Sequence, residues 1–253
     1  MNLFFIGTAG SGKTALTHAF HDWLTERGLD AITVNLDPGA ELLPYTPEVD
    51  VRDWLDVKTV MEEYGVGPNG AQILSADLIA VRFPEVKEAI TSVKSPYVII
   101  DTPGQIELFA FRQSSKVILE SLGEDRSAIF FLMDPVLGGT PSGFVSLLML
   151  SASAQFRFLA PFSNILAKSD LLAPERLEEL LEWGSDYSRL YESLVSGEEG
   201  MHREADVELF RALENMGLLS SPFPASSKTY EGMEDIYNVV QQTFFAGEDA
   251  GPD

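Results

Sequence analysis

The chain has 253 residues, with 17 lysines and arginines against 39 aspartates and glutamates for a formal net charge of −22, no cysteine and three histidines. That charge opposes binding to nucleic acid or an anionic membrane surface, and it fits either a basic partner surface or plain solubility. The missing cysteines exclude disulfides and thiolate metal sites, and His18, His21 and His202 are too scattered for a metal cluster.

Met1-Asn2 leads straight into the first predicted strand, residues 3–7, with neither a basic region nor a separate apolar segment ahead of it. The longest weakly polar stretch, Phe144 to Phe156, contains Ser146, Ser151, Ser153 and Gln155 and is too short for a bilayer. A soluble, cytoplasmic protein without membrane or nucleic-acid partners is therefore expected. Between the first strand and a helix predicted at 13–27, Gly7-Thr8-Ala9-Gly10-Ser11-Gly12-Lys13-Thr14 fits the pattern G-x-x-x-x-G-K-[ST] at every specified position. Glycines let the backbone curl around phosphates, and the N–H groups at a helix N-terminus attract an anion. Gly10, Ser11, Gly12, Lys13 and Thr14 are the expected nucleotide contacts, with Lys13 on the β- and γ-phosphates and the Thr14 hydroxyl on Mg²⁺.

A second strand at 31–35 runs into Leu36-Asp37-Pro38, so Asp37 stands where a parallel strand delivers its C-terminal end. Three readings are open for it: a water-mediated hold on Mg²⁺, orientation of the attacking water, or a turn aspartate. Helices follow at 52–64 and 71–92, and 64 residues separate Asp37 from Asp101, more than one crossover helix needs. The two helices flank a Gly67-Pro68-Asn69-Gly70 turn, in which Pro68 fixes φ and Asn69 is expected at an exposed loop tip. Turn chemistry alone is equally consistent with an ordinary helix connection. The strand at 97–101 ends in Asp101-Thr102-Pro103-Gly104-Gln105. Asp101 is placed to grip Mg²⁺ and the Gly104 N–H to meet a γ-phosphate. The Gln105 amide can orient water, unless it simply faces solvent.

The remaining strands are predicted at 128–133, 161–166 and near 222–225, and the remaining helices at 106–122, 142–157, 174–194, 203–216 and 231–245. Strands alternating with helices predict an α/β three-layer P-loop NTPase, a mostly parallel sheet covered by helices. One domain is expected over residues 1–246, with a helical insertion at about 38–95 and a disordered acidic tail at 247–253. Lys168-Ser169-Asp170 fits K-x-D at a strand end: Asp170 can accept the two donors that guanine presents, while the Lys168 stem covers the ring face. Ala225-Ser226-Ser227-Lys228 can bring a backbone N–H to the guanine carbonyl. Their order behind the P-loop favours guanine over adenine.

With these motifs assembled, the chain resembles the GPN-loop GTPases of archaea and eukaryotes. Gly67-Pro68-Asn69, the P-loop, Asp37-Pro38, Asp50-Val51-Arg52-Asp53, Asp101-Thr102-Pro103-Gly104-Gln105, Lys168-Ser169-Asp170 and the Ser226-Ser227-Lys228 loop carry the resemblance over nearly the whole chain. Ala167 stands where the family usually has Asn or Thr, and Ser227 where Ala is commoner. The resemblance implies a homodimeric GTPase converting GTP to GDP, in which each subunit's Gly67-Pro68-Asn69 enters its partner's site. By extension it implies a protein client and a role in assembling a larger complex such as RNA polymerase. The catalytic set expected is Lys13, Asp37, Asn69 and Gln105, with Thr14, Asp37 and Asp101 serving Mg²⁺.

Competing classes are a scaffold gated by nucleotide with negligible turnover and a small-molecule kinase. A kinase should close an arginine-rich lid, and Arg82, Arg112, Arg126 and Arg157 fall in separate segments. ATP-using relatives of the partitioning type place a lysine directly after the first P-loop glycine, where this chain has Thr8.

Overall fold

The computed structural model describes residues 1–196, 201–217 and 221–245, with the backbone alone for 201–203. The His202 side chain and the tail expected at 247–253 lie outside these residues. Seven strands, β1 (Asn2–Gly7), β2 (Ala31–Asn35), β3 (Val49–Asp50), β4 (Tyr97–Asp101), β5 (Ser127–Met133), β6 (Phe162–Leu166) and β7 (Phe223–Pro224), form one sheet in the order β3-β2-β4-β1-β5-β6-β7. Every pairing is parallel. Its helices are α1 (Lys13–Glu26), α2 (Val57–Tyr64), α3 (Pro68–Val93), α4 (Ile106–Phe109), α5 (Gln113–Leu122), α6 (Pro141–Gln155), α7 (Pro174–Ser185), α8 (Tyr187–Ser196), α9 (Met201–Asn215) and α10 (Met233–Phe244).

The strands are apolar on both faces because helices cover both. Leu3 and Phe5 of β1, Tyr97 and Ile99 of β4, and Phe130 and Leu132 of β5 pack with α1 and α10. Their neighbours Phe4, Ile6, Val98, Ile100, Ile129 and Phe131 face the opposite core, filled from α3 through α9. Together these layers are the expected α/β P-loop architecture. Register places Asn35 beside Asp101 and Gly7 beside Leu132, so the segments leaving β1, β2 and β4 converge at one sheet edge. Among the described residues no helix is long and apolar enough to cross a membrane.

Several predicted boundaries change for local reasons. β3 is an added strand, only two residues long and hence without a readable alternation. The helix expected at 52–64 is a 3₁₀ turn, Val51–Asp53, followed by α2, because the Asp56 carboxylate accepts from the N–H groups of Lys58 and Thr59 at 2.8 and 3.3 Å and starts a new helix there. The helix expected at 71–92 begins at Pro68, whose missing N–H costs nothing in a first turn. Asn69 therefore lies in the first turn of α3, not at a loop tip. The helix expected at 106–122 breaks before α5, where Arg112 is extended (φ −98°, ψ 157°) and its guanidinium pairs with Asp77 of α3. That expected at 174–194 breaks at Asp186, whose carboxylate accepts from the Ser188 N–H at 3.0 Å.

Candidate nucleotide site

The P-loop begins with a close approach. A β-carbon on Gly7 would stand 2.8 Å from both the Leu132 carbonyl oxygen and Ser11 Oγ, so the residue must be glycine. Gly12, at φ 102°, turns the chain into α1 through a left-handed conformation that favours glycine. Gly10 precedes that turn, and Ser11 is fully buried with its hydroxyl unpartnered. Lys13, 5% exposed, donates from Nζ to the carbonyl oxygens of Gly7 (3.0 Å), Thr8 (2.9 Å) and Gly104 (2.6 Å). Burial pulls its ammonium pKa down to about 8, against the opposing pull of Asp101 and Asp37.

Gly104 ties this lysine to Asp37, because its N–H donates to Asp37 Oδ2 at 3.0 Å. The N–H expected to face a γ-phosphate is thus engaged by a carboxylate. Asp37 Oδ1 accepts from the Gly39 N–H at 2.8 Å, and burial raises the carboxyl pKa against the pull of these N–H groups. Behind it, Asn35 donates to the Asp37 carbonyl at 3.2 Å and to Asp50 Oδ1 at 2.9 Å, while Arg52 is held by Asp50 and donates to the Ala40 carbonyl at 2.8 Å. Reading side-chain chemistry alone missed this bracing set; only the Asp50-to-Asp53 segment was singled out, by resemblance.

Asp101 is 1% exposed, and burial lifts its pKa to about 6 against the pull of the nearby Thr14 and Tyr45 hydroxyls. Tyr45 donates to Oδ2 at 3.1 Å, and Oδ1 is buried without a partner. An unpartnered anionic oxygen beside the Thr14 hydroxyl suits a divalent cation. Among the described residues no group of three His, Asp or Glu forms a self-sufficient metal cage. Such an open donor set matches Mg²⁺, which retains waters and substrate phosphates. A cavity of about 210 Å³ lies alongside, walled by Ala9, Asp37, Gly39, Gln72, Gly104 and Gln105. Gln105 is exposed there, and Gln72 joins it from α3. Asn69, one turn earlier, is exposed and does not line the cavity.

At the other end, Lys168 adopts φ 56° and its Nζ meets Asp134 Oδ2 at 2.9 Å. Its stem passes Gly12, with Cε 3.8 Å from where a glycine-12 β-carbon would be. Asp170 Oδ1 accepts from the Ser226 hydroxyl at 2.6 Å, and Ser226 Oγ in turn accepts from the N–H groups of Lys228 and Thr229, both at 3.1 Å. Ser226 is fully buried, and Ser227 is half-buried beside it. The structure thus brings Lys168, Asp170 and the Ser226-Ser227 loop together next to the P-loop. Asp134 was missed; its signal is an acid directly after the apolar run 128–133.

A family model described as "Conserved hypothetical ATP binding protein" matches residues 5–246. The chain is 31% identical over 252 residues to the GPN-loop GTPase PAB0955 of Pyrococcus abyssi, covering 96% of this chain and 97% of that protein. It is 32% identical over 199 residues to GPN-loop GTPase 1 of Dictyostelium discoideum, of which it spans only 50%. The crystal structure of the apo form of PAB0955 superposes with a TM-score of 0.84, covering 96% of this chain and 97% of that one.

Proposed function

The chain belongs to the GPN-loop GTPase family, and on that premise we propose that it is a GTP-hydrolysing switch that works as a homodimer. Gly104 carries this reading: its carbonyl accepts from Lys13 and its N–H donates to Asp37, so one glycine, through the two peptide units flanking its Cα, links the phosphate-binding cation to the candidate water-orienting carboxylate. A nucleotide phosphate competes with the three carbonyls for the Lys13 ammonium. Moving Lys13 onto phosphate releases the Gly104 carbonyl and frees the glycine to reorient about its Cα. Its N–H then exchanges Asp37 for the γ-phosphate, and Asp37 is left to accept from water. Thr14 and Asp101 would hold Mg²⁺, with Asp37 contributing through water, and the ion would supply neutralisation of phosphate charge.

Asp37 and Gln105 orient the attacking water, and Asn69 of the partner subunit completes the site. An amide contributes dipoles without net charge, so its role is positioning. Lys168 and Asp170 select guanine, with Ser226 and Ser227 shaping the loop around it. The K-x-D chemistry, and relatives named as GTPases, favour guanine despite the adenine label on the family model. The setting is cytoplasmic, and the output is assembly of a larger complex through a protein client.

Mixing two variants tests the dimer mechanism. Asn69→Ala should lower GTP turnover on the order of 10²-fold, as loss of one oriented donor does elsewhere. Lys13→Ala should be inactive. Mixed dimers contain one site with its own Lys13 and a partner's intact Asn69, so phosphate release should return, with light scattering reporting the dimer. If subunits exchange and the mixture stays inactive, Asn69 does not act across subunits.

A further inference from the structure

Between β2 and β3 the chain forms an open strap that is tied down on both sides. Near its start the Ala40 carbonyl accepts from Arg52 at 2.8 Å, and at its end the Glu48 carboxylate accepts from the Thr33 N–H at 2.6 Å and the Thr33 hydroxyl at 3.0 Å. Between these ties Glu41, Leu42, Pro44 and Thr46 face solvent, whereas Tyr45 is half-buried, its ring centroid 6.0 Å from that of His18 on α1, one turn beyond Thr14. The sheet order β3-β2-β4 leads the strap away from β4. Tyr45 nevertheless reaches back to the end of β4, where its hydroxyl donates to Asp101 Oδ2 at 3.1 Å.

We propose that Tyr45 is a positioning residue for the divalent cation, its hydroxyl fixing Asp101 so that the other carboxylate oxygen is presented beside Thr14. This rests on the Mg²⁺ assignment of the proposed function. The terminal torsion of an aspartate is broad, so a bond to one oxygen sets the plane in which the other lies. Here the other, Oδ1, is buried without a hydrogen-bond partner. A donor to Oδ2 therefore holds the carboxylate without consuming the oxygen left for the cation, and donors that orient a metal ligand in this way govern metal affinity. Tying down the strap does not require such an acceptor, because Arg52 and Glu48 already hold it on either side and a half-buried phenol can be satisfied by water. Ring packing beside His18 does not require the hydroxyl, since phenylalanine fills the same space. What the hydroxyl adds is its hold on Asp101.

Tyr45→Phe removes the hydroxyl and keeps the ring. The full chain and this variant are loaded with GDP and titrated with Mn²⁺, with free Mn²⁺ read by electron paramagnetic resonance. The dissociation constant for Mn²⁺ should rise about tenfold in Tyr45→Phe, the lower end of the cost of losing a group that orients a metal ligand, and Mg²⁺ competing with Mn²⁺ should show the same shift. Affinity for fluorescent GDP in EDTA should be unchanged, because the hydroxyl acts on the carboxylate and not on the nucleotide. Parental Mn²⁺ affinity in Tyr45→Phe overturns the role of Tyr45 and leaves the nucleotide site standing. An equal loss of GDP affinity in EDTA also overturns it, since the strap as a whole would then be shaping the site. If the parent takes up no Mn²⁺ in the presence of GDP, or Asp101→Asn takes it up as tightly as the parent, the Mg²⁺ assignment itself fails and the inference falls with it.

Discussion

The two ends of the nucleotide site are stabilised in opposite ways. Where β1, β2 and β4 end, Lys13 and Asp101 are 5% and 1% exposed, and burial moves the pKa values of Lys13, Asp37 and Asp101 toward their neutral forms. Where β5, β6 and β7 end, charges are paired in place: Lys168 with Asp134 at 2.9 Å, and Asp170 with the Ser226 hydroxyl at 2.6 Å. The phosphate end holds unfavourable electrostatics that an anion and a cation relieve together. The base end is already satisfied and only exchanges partners. Chemistry should therefore depend on the first and affinity on the second.

Two substitutions put that division under the greatest strain. Lys13→Ala should lower GTP turnover by about 10³-fold or more, the scale on which a cation serves phosphoryl transfer, with the circular dichroism spectrum unchanged. Near-parental phosphate release would remove Lys13 from the phosphate site. Asp170→Asn should instead raise KM for GTP by about 10- to 100-fold, the scale of losing hydrogen bonds to a charged group, while kcat at saturation changes little. The same variant should gain xanthosine triphosphate, because its amide donates to the carbonyl that replaces guanine's amine. A fall in kcat without a rise in KM would show that the two ends are not separable.

What was legible in the sequence follows the same line. The P-loop spacing encodes local backbone geometry, so Gly10 to Thr14 could be placed without the fold. Asp37, Asp101, Lys168 and Asp170 could be placed because parallel strands deliver their C-terminal ends to one edge. Contacts across long separations left no such trace. Tyr45 reaches Asp101 over 56 residues, and the backbone of Gly104 joins Lys13 and Asp37 from a third segment. The start of α3 was misplaced because Gly67-Pro68-Asn69-Gly70 reads as a turn by composition, although proline in a first helical turn is equally favourable.

Buried charge at the phosphate end should also be visible in stability. Asp101 has its pKa raised from 3.8 to about 6, so the folded chain holds a proton that the unfolded chain has released between those values. Folding is then penalised above pH 6, and the penalty fades as pH falls through 6 toward 3.8. Asp101→Asn removes the charge and keeps an oxygen for Tyr45. In nucleotide-free protein with EDTA, it should be more stable than the parent at pH 7 by on the order of 3 kcal/mol, and the gap should close by pH 4. Denaturant unfolding of both proteins across this range measures it. A gap independent of pH would mean that packing, not charge, separates them.

The smallest effect expected is at the base end, and it tests whether that end really is satisfied in advance. Asp134 is 6% exposed and divides its carboxylate between the Val136 N–H, at 2.9 Å, and Lys168, whose side chain is 30% exposed. Asp134→Asn can keep the bond from Val136 while losing only the attraction to a partly solvated ammonium. Unfolding free energy should fall by about 1 kcal/mol or less, as for other pairs open to solvent. Affinity has more to lose: Lys168 is held over Gly12 between this carboxylate and its own left-handed backbone, and an unanchored stem must be ordered again when the base arrives. KM for GTP should rise about threefold, the cost of fixing part of one long side chain, with kcat unaltered. A parallel loss in kcat would mean that Lys168 transmits its position through Gly12 to Lys13, and base recognition would then be coupled to the phosphate end.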